Sequence, residues 1–150
     1  MDKNSVLELI EDAKKELDNS LENAQLINDE FAPQYPSIPE SPKECPFGKW
    51  FYDEGQKLKA FSNNPMECLQ NIELLHEEFH RIYAQIFQLY QEHQQKGGLR
   101  NIFSKKKELP REELEKLLRE LEHSHEKLMQ ELIKMYRRIQ ATPQSKFDLL

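Results

Sequence analysis

Glycine is scarce, with 4 in 150 residues. Long runs rich in Glu, Lys, Leu and Gln stand in its place, and this balance favours helix over sheet. Basic charge is not in excess: 21 Lys and Arg face 27 Asp and Glu, for a formal net charge of −6. A general nucleic-acid binder would carry a basic face, so that class is set aside. No apolar run approaches the ~20 residues that a membrane span needs. The stretch from Met1 to Glu11 holds acids and no long apolar core, unlike a secretion signal. We expect a cytoplasmic protein with a natural start at Met1. Cysteine is nearly absent too. Cys45 and Cys68 should both be reduced in that compartment, which argues against a structural disulfide. A chain of this length suits one domain rather than two full cores.

What is present reads as helices. Val6, Ile10, Ala13, Leu17, Leu21, Ala24 and Asn28 recur at spacings of three and four, which predicts a helix from about Asn4 to Asp29 with Ser20 at the edge of its stripe. Pro33, Pro36, Pro39 and Pro42 then recur every third residue. Each proline fixes its own φ and biases its predecessor toward extended backbone, so this is a stiff connector, partly polyproline II. The run from Cys45 to Tyr52 is the densest aromatic cluster, and a short helix from about Lys49 to Phe61 follows. Asn64-Pro65 is a helix start, and Leu69, Ile72, His76, Phe79, Tyr83, Ile86 and Tyr90 stripe a helix that ends before Gly97-Gly98. After a loop containing Lys105-Lys106-Lys107, a last helix starts at Pro110. Leu114, Leu118, Leu121, His125, Leu128, Leu132, Met135 and Ile139 form a heptad seam along it. Nothing reads as a strand. The fold class is all-α: an antiparallel four-helix bundle with an extra short helix and a Pro-rich connector.

The chemistry concentrates on His76 and His80. At i and i+4 both imidazoles share one helix face, about 6 Å apart at their roots. Both lie on or beside the apolar stripe, among Leu75, Phe79 and Tyr83. A buried neutral imidazole needs hydrogen-bond partners or a metal. A packed, satisfied pair is the alternative to a metal site on spacing alone. A thiolate beside them would favour zinc, which takes sulfur and nitrogen donors in a tetrahedron. The glycine three residues after Cys45, followed by Trp50, suits a tight turn that holds a sulfur in place.

These residues resemble a known family. Cys45-Pro-Phe-Gly-Lys-Trp50, Phe61, Pro65 and Leu75-His76-x-x-x-His80 are similar to the chemoreceptor zinc-binding (CZB) domain family, over roughly Leu7 to Tyr90. The resemblance implies a four-helix bundle that holds one zinc through three histidines and one cysteine and that regulates chemoreceptors or diguanylate cyclases in bacteria. Carried over by position, Cys45, His76 and His80 are three ligands. The family's first-helix histidine is missing; Asn19 or Ser20 stands there. Asp18 or Glu22, a water, or His125 from the last helix would complete the set. An antiparallel last helix puts His125 opposite about Ile82, within about one turn of His80 at ~1.5 Å per residue. We take His125 as the fourth ligand, with a register-setting seam histidine as the alternative. Cys68 reads as a small buried hydrophobe, and His93 and His123 as surface residues. Trp50, Phe47 and Phe51 read as packing anchors.

The chain ends Phe147-Asp148-Leu149-Leu150, like the opening of a GGDEF diguanylate cyclase domain. Residues 1–142 are therefore expected to be a zinc-sensing module, and 143–150 a linker into that output domain. The module would not be an enzyme itself. It would act as a homodimer, with the last helix and exposed parts of the first as dimer surfaces. Two rival readings remain. In one, Cys45 is the reactive group of an oxidant sensor. In the other, the protein is a zinc hydrolase, because residues 76 to 80 satisfy H-E-x-x-H with Glu77 as base.

Overall fold

The structure is a computed structural model and describes residues 1–63, 65, 67, 69–95 and 109–150, apart from the side chain of residue 95. The Asn64 cap, Cys68, Gly97-Gly98 and Lys105 to Lys107 lie outside the described residues. Helix α1 spans Lys3–Asn28, α2 Pro46–Phe51, α3 Leu69–Gln95, α4 Arg111–Ala141 and α5 Gln144–Phe147, and a 3-10 helix covers Glu54–Ala60. Among the described residues there is no strand. No helix there is long and apolar enough to cross a membrane.

Helices α1 and α3 both pack along α4, and the three form a helical bundle. Their antiparallel sense is visible in the bonds that tie them. Lys3 at the start of α1 reaches the Gln140 carbonyl at 2.7 Å, while Arg111 at the start of α4 donates to the Asn28 carbonyl at 2.8 Å. The Ser124 hydroxyl donates to the Leu75 carbonyl at 3.4 Å, and Asn63 to the Arg138 carbonyl at 2.8 Å, so α3 and α4 also run opposite ways. Helix α2 packs against α1 and closes the bundle at the level of the site.

The stripes follow the sequence periodicity with local rotations. Val6, Ile10, Ala13 and Leu17 are buried as expected, but beyond them Ser20, Asn23 and Ile27 face inward rather than Leu21 and Asn28. Two polar residues can do so because each is satisfied. The Ser20 hydroxyl donates back to the Glu16 carbonyl at 2.8 Å. Asn23, fully buried, accepts from Gln34 N and Tyr35 N and donates to the Tyr35 carbonyl and the Tyr83 hydroxyl. It pins the Pro-rich connector to both α1 and α3. On α4, Leu117 and Ser124 are buried where the heptad reading placed Leu118 and His125. The small Ser124 lets α4 approach the Leu75 backbone, which an imidazole at that spot would prevent.

The short helix expected from Lys49 to Phe61 is two elements. Pro46 occupies the first helical position and Cys45 caps it, so α2 starts earlier than the aromatic cluster alone suggests. It ends at Phe51, and the 3-10 helix follows after Asp53. Residues 143–150, expected as a linker, include α5. Its Phe147 is fully buried, with its ring 4.8 Å from that of Phe61.

Candidate metal centre

Two elements deliver the donors. Helix α3 presents His76 and His80 from successive turns of one face, and their rings meet edge to face at 4.6 Å between centroids. Cys45 arrives at the end of the connector. Its sulfur accepts from Gly48 N at 3.2 Å, the capping bond of α2, and its thiol donates to the Pro42 carbonyl at 3.2 Å. All three residues are buried, with 2–3% of their surface exposed. Cys45 Sγ lies 3.4 Å from His76 Nε2, which lies 3.0 Å from His80 Nε2. One donor atom from each falls within 4.8 Å of the others.

Gly48 makes this turn possible. A Cβ built there would stand 1.7 Å from the Pro42 carbonyl oxygen, so only glycine lets α2 sit against the connector. The connector does more than span a gap. The Pro39 carbonyl meets His80 Nδ1 at 2.6 Å. A carbonyl only accepts, so Nδ1 carries the proton and Nε2 turns its lone pair toward the cavity. Outer hydrogen bonds of this kind orient histidines that bind metals. The connector thus offers one proline carbonyl to each ligand-bearing element, Pro39 to His80 and Pro42 to Cys45.

Burial holds the whole cluster neutral. Desolvation, helped by the neighbouring His80, pushes the His76 pKa down to about 3. It also lowers His80, against the opposing bond to Pro39. The Cys45 thiol is pushed up to about 11, chiefly by burial, with the Gly48 bond opposing and the Glu16 charge adding to the rise. Neutral histidines are ready donors, whereas the thiol must lose its proton when a metal binds. In the metal-free cluster His76 Nε2–H can donate to His80 Nε2. His76 Nδ1 is buried without a hydrogen-bond partner among the described residues.

The donor set fits zinc: one sulfur and two imidazole nitrogens, convergent and desolvated, around space for about one water-sized sphere. Phe47 closes one side, its ring edge-on to His76 at 5.4 Å.

The other sequence candidates sit elsewhere. His125 Nε2 lies 2.7 Å from Asp18 Oδ1 on the α1–α4 seam, and it is not among the clustered donors. The Ser124–Leu75 bond sets its level near Leu75 rather than Ile82, because the antiparallel register differs from the one loop length suggests. Asp18 is thus engaged with His125 and largely exposed, and Glu22 is exposed, with its carboxylate raising the Tyr35 pKa. His123 and Glu77 are exposed, and His93 is half-buried. Glu77 is not among the residues lining the cavity, so the structure does not bring the base of the hydrolase reading to the site.

Sequence reasoning missed one residue at this cavity. Glu16 lines it together with Cys45, His76 and His80. It is half-buried, and burial raises its carboxyl pKa. A faint trace was available: Glu16 lies three residues after Ala13 and four before Ser20, two small buried residues that leave room on that face.

No curated protein and no solved structure matches the chain significantly. A family model described as the chemoreceptor zinc-binding domain matches residues 3–87, which span α1, the connector, α2 and most of α3. That segment contains all three clustered donors, and it is more than half of the chain. The chain belongs to the chemoreceptor zinc-binding domain family.

Proposed function

We propose that this chain is the zinc-sensing regulatory module of a cytoplasmic bacterial signalling protein, most directly a diguanylate cyclase, and that it works as a homodimer. The observation that carries this reading is the convergence of Cys45, His76 and His80, from two separate elements, within 4.8 Å. A metal there would lock the connector and α2 onto α3. Helix α3 packs along α4, so occupancy of the site has a path to that long helix. Zinc acts only through a difference in affinity between two arrangements of these helices. The Asp-Leu-Leu at the end supports a GGDEF partner by its likeness to that domain's opening.

The test uses the full gene product. Cyclic di-GMP synthesis from GTP should change several-fold between zinc-loaded and chelator-treated protein, and Cys45→Ser should abolish the difference. Equal activity in both states would refute zinc control. Oxidant sensing by Cys45 has less support, since a buried thiol held near pKa 11 is a poor nucleophile.

A further inference from the structure

Glu16 is a carboxylate in an unusual place. Its neighbours around the cavity include Leu17, Ile38, Leu128 and Leu132, which offer it no hydrogen bond. Among the described residues no hydrogen bond or ion pair to its side chain is present, although Ser20 uses its backbone carbonyl. A carboxylate left half-buried against apolar walls is costly unless a cation or donor meets it. Among the described residues, the other side-chain polar groups lining this cavity are Cys45, His76 and His80.

We propose that Glu16 is the fourth protein ligand of the zinc site, supplying a carboxylate oxygen from α1 where the family's histidine is missing. This rests on the zinc reading above. In the conformation seen, its oxygens lie outside the 4.8 Å group of the other three donors. The side chain therefore swings about its χ angles to bind. Charge favours it over a neutral ligand. Zinc with one thiolate and two neutral imidazoles leaves a net positive charge in a desolvated cavity, and a carboxylate cancels it. The neighbouring carboxylates do not line this cavity: Asp18 is engaged with His125, and Glu22 is exposed. With Glu16 bound, the metal would tie α1 to α3 and the connector together, and so would grip both helices that flank α4. The resulting set is Cys-His-His-Glu rather than one thiolate with three histidines.

Cobalt(II) and zinc titrations of the chain separate the possibilities. Cobalt shows thiolate ligation as a near-ultraviolet charge-transfer band and the rest of its shell as visible d–d bands. Glu16→Gln should weaken zinc binding by at least ~100-fold, the upper end of what loss of a supporting group costs. It should keep the charge-transfer band and alter the d–d bands. Glu16→His should retain tight binding with shifted d–d bands, and His125→Ala should change neither affinity nor spectrum. If the parent protein binds neither metal, the zinc reading itself fails. If it binds both and Glu16→Gln matches it in affinity and spectrum, zinc stands and Glu16 is not a ligand. Weaker binding with unchanged d–d bands would also overturn ligation, since Glu16 would then act from outside the coordination shell. Should Glu16→Gln fail to fold by circular dichroism, Glu16→His decides: unchanged d–d bands overturn the assignment.

Discussion

Replacing Gly48 by alanine sets two effects of opposite sign against each other. Gly48 lies inside α2, and in an ordinary helix Gly→Ala stabilises by about 1 kcal/mol. Here the new Cβ would stand 1.7 Å from the Pro42 oxygen and 2.8 Å from its carbonyl carbon. A carbon and a carbonyl oxygen normally stay ~3.3–3.6 Å apart, so α2 and the connector must separate by roughly 1.6 Å. Both partners are backbone, and neither can rotate away. Overpacking of this kind costs about 1–3 kcal/mol, which exceeds the propensity gain at all but its lowest values. The melting temperature of the metal-free protein should fall by up to roughly 8 °C, at ~2–4 °C per kcal/mol of net loss for a domain of this size. The metal should feel it more. Cys45 Sγ is held by Gly48 N and the Pro42 carbonyl, the two groups being forced apart. Ligand distances tolerate only about ±0.2 Å. Zinc affinity, measured by competition with a chromophoric chelator, should drop by at least ~10-fold, or 1.4 kcal/mol. A Gly48→Ala protein that melts higher than the parent and binds zinc equally well would refute the close-approach argument.

Other outcomes follow from the same geometry. Asn23→Ala strands two backbone N–H groups of the connector at ~1–3 kcal/mol each, so urea unfolding should show a loss of about 2–6 kcal/mol; a loss under 1 kcal/mol would mean the connector is held by other means. Phe147→Ala should cost ~3–5 kcal/mol if α5 is docked in solution, and nothing measurable if residues 143–150 hang free. With chelator present, stability should fall on both sides of neutrality. The depressed His76 pKa gives stability that is whole above pH 6.5 and lost as pH falls toward 3, ~5 kcal/mol at most. The raised Cys45 pKa gives stability that is whole below pH 9 and lost as pH rises through 11, ~3 kcal/mol at most. A flat stability profile from pH 4 to 10 would contradict the burial of this cluster. Light scattering of the full protein should report a dimer; a monomer at high concentration would count against the signalling reading.

The helical architecture and the chemical identity of the site were legible in the residues themselves. Periodicity of three and four places apolar side chains on one face whatever the partner, so α1, α3 and α4 could be drawn from Val6, Ile72 or Leu128 and their repeats. The His76–His80 spacing also needs no tertiary information, because the helix alone puts both rings on one side. The Cys45-Pro-Phe-Gly turn was readable because Pro46 and Gly48 are local constraints on the backbone. What tertiary structure decided was everything that depends on register between helices. His125 fits a heptad seam as well as Ser124 does, and only the close approach of α4 to the Leu75 carbonyl turns the histidine toward Asp18. Glu16 is one exposed-looking acid among several until Ala13, Ser20 and α3 leave it facing the cavity. Asn23 lies off the stripe that the sequence shows, and it is buried because the folded-back connector supplies three of its hydrogen bonds and Tyr83 of α3 the fourth. Local patterns set which face of an element is apolar, whereas the rotation and height of one helix against another come from packing across the bundle, where residues distant in sequence meet.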